Sequence, residues 1–518
     1  MNPSINHPGP GSDPGIKPDS AQAPAPATAP ILLRNTTPES DFHSAIFSRV
    51  FNHRRPSFSS SSPYYPTRLP FGYCKPLTVS DILACVAVAK AENKRISIRS
   101  GGHSWACWSV RHDAILLDMI DFEGGVESIR WEPERGEGVV SCASAVTSAQ
   151  LNEFLEKGKR VFPGGHCPDV GLGGFLLQGG MGWNCKNWGW ACEYVVGVDV
   201  VTAEGEVLHC DKTQNEDLFF AARGAGPGFP AIVTRFYLRT LPLLPMWQSL
   251  YFFDIANFKD VLEWLIKLSP TASPTLEIVL VSSFIPQSSP KPTLTAVFTS
   301  FSPSHPSALA ALQPIHDSLP CPPSSNPDHP SRFCQPTSLP KEYAAQLAGN
   351  AAPGFRTRSD NAYLSNNLSP SQVATALEPA FSTLPTKQST ALWFAMNPTS
   401  RRTLPENMAL SMQSDHYFSV YAVWKEDVDD EKCDAWVKGV FDKLEEDEEE
   451  GTLLVGSYLG DADFQFRQAG WRFWGEEERG RLEGVRGRWD PRGRVCGFLV
   501  GDEAVDGGVK RLDIGGTA

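Results

Sequence analysis

The chain lacks an excess of positive charge. Its 518 residues include 46 lysines and arginines against 59 aspartates and glutamates, which gives a formal net charge of −13. A protein that binds nucleic acid needs a basic surface to meet the phosphate backbone. We therefore expect neither DNA nor RNA as a partner.

The sequence also lacks long apolar runs. A membrane-spanning helix needs about 18 or more consecutive apolar residues, and no such stretch occurs, so we expect no membrane partner. Residues 1–30 contain no apolar core of the kind that a secretory signal peptide carries. These two absences lead us to expect a cytoplasmic protein.

Closely paired cysteines are missing as well. The 12 cysteines include no CxxC spacing, which argues against zinc knuckles and thioredoxin-type motifs. Most are expected to be buried or free thiols. Cys321 and Cys334 bracket a Pro/Ser-rich segment, and a disulfide between them stays open.

Composition divides the chain into four segments. Residues 1–40 have the Pro/Ala/Ser bias of a disordered arm. Residues 60–242 alternate strand and helix patterns, whereas residues 243–450 contain longer strands, amphipathic helices and a Pro/Ser-rich insertion at 302–340. A last segment, residues 451–518, is rich in turns. The mixture predicts an α+β protein with a mixed sheet in its first unit.

Local signals place the elements of the first unit. Ser80 is predicted to cap a helix that leads to a strand at 95–99. Thr147 and Gln150 form a capping box, and Asn215 is predicted to cap a further helix. The segment 193–210 has the pattern of a β-hairpin.

The first motif that carries chemistry is RSGGHS, which ends the strand at 95–99. The glycines at 101 and 102 let the backbone approach a ligand closely. Consecutive backbone N–H groups in such a loop can hold a pyrophosphate. The loop would then present His103 to that ligand.

A second glycine-rich stretch contains Cys167, in PGGHCPDVGLGG, and is followed by QGGMGW. His166 beside Cys167 suggests a metal site, but two adjacent side chains form a poor chelate. No histidine or carboxylate recurs at ligand spacing. We therefore predict no metal site.

These motifs, followed by DLFFAARGAGPGFPAIVTRF, resemble the flavin-binding domain of the berberine bridge enzyme-like oxidases of the vanillyl-alcohol oxidase and p-cresol methylhydroxylase superfamily. The resemblance runs from about residue 60 to 240 and resumes at 451–499. It implies an α+β fold with a two-part FAD-binding domain of the p-cresol methylhydroxylase type, formed by 60–242 and the returning segment 451–518. The remaining residues, 243–450, would form a substrate domain with an antiparallel sheet covered by helices.

The same resemblance implies FAD held by two covalent bonds, from His103 to the 8α methyl carbon and from Cys167 to ring carbon 6. Arg99–Ser104 would be the pyrophosphate loop. A small side chain at Val170 is the kind that admits oxygen in relatives. The further cofactor-binding residues that the resemblance implies are Arg99, Ser100, Gly101, Gly102, Ser104, Val170, Gly171, Gly174, Gly179, Gly180, Gly182, Ile232 and Val233.

The catalytic base is less well defined, because the family's terminal Tyr-x-Asn-Tyr pattern reads here Tyr458-Leu459-Gly460-Asp461. The second tyrosine, which is the base in some relatives, has become Asp461. A general base must reach the acidic hydrogen of the substrate. The candidates are Tyr458, ranked first, then Asp461, and Tyr417 and Ser419 from the strand 415–424, whose same face also carries Asp415 and Tyr421.

The predicted function is oxidation of a hydrophobic secondary metabolite (an alcohol, an amine or an activated C–H) by hydride transfer to FAD. Oxygen would be the acceptor and hydrogen peroxide the by-product, and we expect a monomer. Three alternatives stay open: a flavin dehydrogenase with another acceptor, a carbohydrate oxidase, and a metabolite-binding or cyclisation flavoprotein without net redox turnover.

Overall fold

The computed structural model of the chain describes residues 31–50, 69–105, 107–132, 137–325, 329–349, 354–446, 453–462 and 472–497. The strands are β1 (Ile31–Leu33), β2 (Gly72–Cys74), β3 (Ile96–Arg99), β4 (Ile115–Asp118), β5 (Val126–Glu132), β6 (Glu137–Ala143), β7 (Arg160–Val161), β8 (Val195–Thr202), β9 (Val207–Cys210), β10 (Ala231–Arg239), β11 (Leu241–Pro242), β12 (Met246–Asp254), β13 (Leu276–Ser283), β14 (Thr293–Phe301), β15 (Arg332–Thr337), β16 (Arg356–Leu364), β17 (Thr390–Ala395), β18 (His416–Trp424) and β19 (Leu454–Gly456).

The helices connect and cover these strands. They are α1 (Glu39–Phe47), α2 (Val79–Ala91), α3 (Ser148–Glu156), α4 (Leu172–Leu177), α5 (Cys185–Trp188), α6 (Glu216–Ala221), α7 (Phe258–Leu268), α8 (His305–Asp317), α9 (Leu339–Gly349), α10 (Pro370–Ser382), α11 (Asp430–Glu446) and α12 (Glu476–Trp489). Among the described residues, none of these helices has the length and apolar content that crossing a membrane requires.

In the part of the chain that the structure describes, the first unit contains two larger sheets and the short antiparallel pair β7–β11. One has the order β1-β2-β4-β3, in which β2, β4 and β3 are parallel and β1 is antiparallel to β2. The other has the order β5-β6-β10-β8-β9 and is antiparallel throughout. The α+β class and the mixed sheet are therefore confirmed.

The second unit is one antiparallel sheet with the order β15-β12-β14-β13-β17-β18-β16-β19. Successive side chains of a strand point to opposite faces. Ile278 and Leu280 of β13 are fully buried in the core that the sheet shares with α7, α8, α10 and α11, whereas Val279 and Val281 face a cavity on the other side. The sheet therefore has one helix-covered face and one face turned toward the first unit.

Two predicted helix caps are wrong in detail. Thr78, not Ser80, is the N-cap of α2, and its side chain and that of Asp81 form a reciprocal capping box. Asn215 does precede α6, but its side chain makes no capping bond and donates instead to the His209 carbonyl at 2.7 Å. The capping box of Thr147 and Gln150 is confirmed.

Two segments with a Pro-rich composition contain regular secondary structure. Residues 1–30 of the predicted arm lie outside the described residues, but 31–33 form β1 and pair with β2. The Pro/Ser-rich insertion at 302–340 contains α8 and β15. The strand β15 pairs with β12 and so extends the large sheet. Cys321 and Cys334 are both free thiols.

The C-terminal segment connects the two units. Its strand β19 pairs with β16 at the edge of the large sheet. Further on, Val495 bridges to Ile96 of β3, and Arg494 donates to the carbonyl of Ala89 at 3.0 Å. The segment therefore touches both units on its way past the cavity.

Candidate active site

A large cavity separates the two units. Its volume is about 1380 Å³, and its walls come from both glycine-rich loops, the open face of the large sheet and the C-terminal segment. Pockets for one drug-sized molecule have volumes of about 300–1,000 Å³. The cavity can therefore hold more than one small molecule.

The first loop follows β3 and carries His103. Gly102 has φ +81°, and a Cβ there would lie 2.0 Å from the Arg49 carbonyl oxygen, so only glycine fits. The Ser100 hydroxyl donates to the Ser144 carbonyl at 2.7 Å. His103 lines the cavity, and its Nε2 lies 3.3 Å from Asp169 Oδ2 on the second loop.

The second loop carries Cys167 and touches the first directly. A Cβ on Gly101 would lie 2.5 Å from the Gly171 nitrogen, and one on Gly171 would lie 2.6 Å from the Gly101 nitrogen. The glycines therefore let two backbones meet. Cys167 also lines the cavity. Burial, and to a lesser degree the charges of Asp169 and Asp461, raise the pKa of its thiol to about 12.

The other predicted cofactor residues divide into two groups. Residues that line the cavity are Arg99, Ser100, Gly101, Gly102, Ser104, Val170, Gly171, Gly174 and Val233. Residues that do not line it are Gly179, Gly180, Gly182 and Ile232. At Gly182, for example, a Cβ would lie 2.0 Å from the Pro163 carbonyl oxygen, so this glycine serves backbone packing.

Arg99 lines the cavity and also forms a buried ion pair. Its Nη2 lies 2.7 Å from Asp118 Oδ2, and its side chain is 1% exposed. Arg49 also pairs with Asp118 and donates to the Ser100 carbonyl at 2.9 Å. The cluster anchors the first loop to β4 and to the end of α1.

Among the candidate bases, Asp461 is the carboxylate, and it lies on the cavity wall. Tyr417 donates its hydroxyl to Oδ2, and Trp105 Nε1 donates to Oδ1 at 3.3 Å. Burial raises the pKa of Asp461, although the hydrogen bonds from Tyr417, Tyr421 and Trp105 oppose that rise. Trp105 packs against Tyr421, with ring centroids 4.8 Å apart and the ring planes tilted by 40°.

The remaining candidate bases are less suited to proton removal. Tyr458 lines the cavity, but its hydroxyl accepts a hydrogen bond from the Met181 amide at 3.0 Å, and burial raises its pKa far above the ordinary value. Tyr417 and Ser419 are fully buried behind the wall. Ser419 donates to the Tyr421 hydroxyl at 2.9 Å.

Sequence reasoning missed Trp105 and Glu277. Trp105 lies two residues beyond His103, so its position in the loop was visible, but its contact with Asp461 spans most of the chain. Glu277 is an acidic residue inside the apolar strand TLEIVLV and lies 2.9 Å from His166. A buried charge in such a strand needs a partner, which was the available signal.

The cavity fits a ligand of the size and polarity of FAD. The buried hydroxyls of Ser97 and Ser144 on its wall have no hydrogen-bond partner among the described residues, and buried polar groups normally have one. A Cβ at Gly174 would meet no heavy atom within 4 Å, so the α4 end of the wall faces open space. The two loops would hold such a ligand with backbone amides.

The fold is that of the FAD-binding oxidoreductases of the p-cresol methylhydroxylase type. Residues 70–211 match a family model described as an FAD binding domain. The chain superposes on 6-hydroxy-D-nicotine oxidase of Arthrobacter nicotinovorans with a TM-score of 0.72 at 17% identity, which covers 90% of this chain and 95% of that one. Berberine bridge enzyme-like 1 of Physcomitrella patens gives 0.71 at 18% identity, with 90% and 95% covered.

Sequence comparison gives the family. The FAD-linked oxidoreductase janO of Penicillium janthinellum is 37% identical over 92% of this chain and 99% of that protein. The xylooligosaccharide oxidase of Thermothelomyces thermophilus is 34% identical over 36% of each chain. The chain therefore belongs to the FAD-linked oxidoreductases, it has the fold of the berberine bridge enzyme-like proteins, and it is an FAD-dependent enzyme.

Proposed function

We propose that this enzyme is an oxidase of hydrophobic small molecules whose FAD is covalently bonded to both His103 and Cys167. The observation that supports it is the contact of two loops distant in sequence, Gly101 against Gly171, which brings an imidazole and a thiol to one cavity. The His103–Asp169 pair ties the loops together within three residues of Cys167.

Each proposed bond replaces a hydrogen of the flavin and the proton of the imidazole or the thiol. Two electrons and two protons leave per bond, and we assign oxygen as their acceptor, which yields hydrogen peroxide. Cys167 must lose its proton for this step although burial raises its pKa to about 12. His103 Nε2 lies 3.3 Å from Asp169 Oδ2 on the second loop, and this contact orients the imidazole in the cavity.

Bound FAD supplies the hydride acceptor. Asp461 is proposed to accept the proton from the substrate's hydroxyl, amine or activated C–H. A carboxylate with a raised pKa is a stronger base than an ordinary one. The hydrogen bonds from Tyr417 and Trp105 fix its orientation.

The wall beyond Asp461 supports a hydrophobic substrate. The sheet face is largely apolar, and its cavity-lining residues include Leu250, Val279, Val281, Val297, Leu392, Phe394 and Val423. Ligand pockets of this kind bind apolar bodies and use a few polar groups for orientation. A secondary metabolite with an apolar frame suits this wall.

A carbohydrate oxidase is the second candidate. Amide side chains line the cavity far from the loops, namely Gln248, Gln287, Gln335, Gln346 and Gln388. Amides can bind sugar hydroxyls. The kinship with xylooligosaccharide oxidase over 36% of the chain favours the same reading.

The test is anaerobic mixing of the purified holoenzyme with apolar alcohols and amines and, separately, with oligosaccharides. We expect an apolar donor to bleach the flavin absorbance, and oxygen then to restore it with one peroxide per flavin. Val170→Leu is the matched variant, which should slow only the step with oxygen. Fast reoxidation by a quinone and slow reoxidation by oxygen would contradict the oxidase, and bleaching by sugars alone would favour the second candidate.

A further inference from the structure

A second acid–base pair, separate from Asp461, lies in the wall of the same cavity. His166 Nε2 is 2.9 Å from Glu277 Oε1, and Glu277 Oε2 accepts the Asn184 backbone amide at 2.5 Å. Glu277 is 4% exposed and belongs to β13, whereas His166 precedes Cys167. The pair therefore joins the sheet to the second loop.

Aromatic neighbours fix the plane of the imidazole. The ring centroid of His166 lies 4.2 Å from that of Trp183 and 5.6 Å from that of Phe394. The side chain is 20% exposed on a wall of the cavity. No residue that the structure describes hydrogen-bonds Nδ1.

The Glu277 carboxylate determines which ring nitrogen of His166 carries the proton. An ionised carboxylate only accepts hydrogen bonds, so Nε2 must donate to Glu277. In the neutral imidazole Nδ1 is then a hydrogen-bond acceptor, in the way that a carboxylate fixes the tautomer of metal-bound or catalytic histidines. This acceptor has no partner among the described residues, and the side chain of His166 lines the cavity.

Phe394 lies beside both His166 and the tyrosine that contacts Asp461. Its ring centroid lies 6.2 Å from that of Tyr417, whose hydroxyl donates to Asp461. The neighbouring wall is apolar, with Val279 and Leu392. The same cavity wall thus carries His166 and Asp461 with one aromatic side chain, Phe394, near both.

We propose that His166, oriented by Glu277, accepts a hydrogen bond from a second polar hydrogen of the substrate. The substrate class is then an apolar molecule with two hydroxyl or amine groups, one facing Asp461 and the other bound at His166 Nδ1. The inference rests on the proposed function for the existence of the substrate site. A site built to bind a hydroxyl discriminates against analogues without it, because its polar atom would be left unpaired. Glu277 is a positioning residue.

The tautomer is tested by ¹⁵N NMR of histidine-labelled holoenzyme, with the His166→Gln spectrum for assignment. We expect a neutral ring with the proton on Nε2, and loss of this preference in Glu277→Gln. A proton on Nδ1 in the wild type would overturn the proposal. This readout does not depend on turnover, so it is independent of the oxidase test.

The role in recognition is tested with 4-hydroxybenzyl alcohol and benzyl alcohol, which differ by one hydroxyl. Both are titrated into the Asp461→Asn holoenzyme, where binding is followed as a shift of the flavin spectrum without reduction. We expect the first probe to bind about tenfold more tightly, the effect of one net hydrogen bond.

Two further variants of His166 test the roles of its two ring nitrogens separately. His166→Gln keeps a donor for Glu277 but no acceptor at Nδ1, and it should abolish the discrimination. His166→Asn puts an amide near the Nδ1 position and should retain part of it. Unchanged discrimination in His166→Gln would overturn the proposal, whereas a flavin that no donor reduces in the wild type would count against the proposed function alone.

Discussion

At the residue scale, the surroundings of Asp461 change the pKa of its carboxyl group. The family resemblance implies a tyrosine at this position, and the wall around the aspartate supplies two phenols and an indole. Burial disfavours the charged carboxylate, whereas the hydrogen bonds favour it. The net result is a carboxyl group whose pKa is raised and which a proton-removing step can use.

We expect Asp461→Asn to lower the rate at which substrate reduces the flavin roughly 10²- to 10⁴-fold, which is the usual contribution of a general base. In the wild type the reduction rate should fall as pH falls through the raised pKa of Asp461, because only the ionised form accepts a proton. Stopped-flow reduction across pH measures both effects. Full activity in Asp461→Asn, with normal flavin content, would show that another group is the base.

A second residue-scale prediction concerns Asp118. Burial raises its pKa, but Arg99 and Arg49 outweigh burial and lower it. Its stabilising contribution should therefore be present above the pKa of the unfolded chain and be lost as pH falls toward the depressed folded value.

Asp118→Asn leaves two guanidinium groups without their carboxylate. Breaking a buried pair costs about 3–5 kcal/mol, so we expect a fall of that size in the free energy of unfolding by urea. Asp121→Asn is the control, since its pair with Lys75 is about half exposed and surface pairs contribute about 0–1 kcal/mol. Equal effects of the two variants would disprove the role of burial.

Residues differ in how far the sequence predicts them. His103 and Cys167 stand in glycine-rich motifs, so local pattern was sufficient to find them. Glu277 and Trp105 take their roles from partners 111 and 356 residues away in the chain. Such contacts depend on tertiary packing, and no local spacing encodes them.

At the element scale, periodicity predicted strands better than caps. The alternation in β18 indicated a strand because one face of this strand lies in a core and the other is turned to the cavity. The start of α2 was misplaced because Asp81, three residues after Thr78, completes the capping box. Asn215 adopts φ +50°, and its side chain bonds a carbonyl instead of the helix.

The loop contact gives a matched pair of glycine predictions. Gly101→Ala puts a methyl group 2.5 Å from the Gly171 nitrogen, so the loops must separate. We expect lower stability of the flavin-free protein and little covalent flavin. Gly174→Ala meets no protein atom within 4 Å, so it should keep the stability of the flavin-free protein and reduce only flavin loading.

Thermal unfolding of the flavin-free proteins and flavin absorbance of the loaded ones measure the two effects. The idea fails if Gly101→Ala loads flavin as the wild type does. It fails equally if Gly174→Ala destabilises the flavin-free protein as much as Gly101→Ala.

At the scale of the whole molecule, the site exists because three distant parts of the chain converge. The two loops come from the first unit, Glu277 and Phe394 come from the large sheet, and Asp461 comes from the returning segment. The family resemblance implied this return and the two-unit architecture. The order of the eight strands could not be predicted, since β15 and β19 join the sheet edges through long-range pairing.

The most direct measurement is the intact mass of the denatured protein, with flavin fluorescence in a denaturing gel. We expect wild type, His103→Ala and Cys167→Ala each to keep one FAD per chain. The double variant should keep none. Release of flavin from the denatured wild type, or its retention by the double variant, would contradict a cofactor bonded to these two side chains.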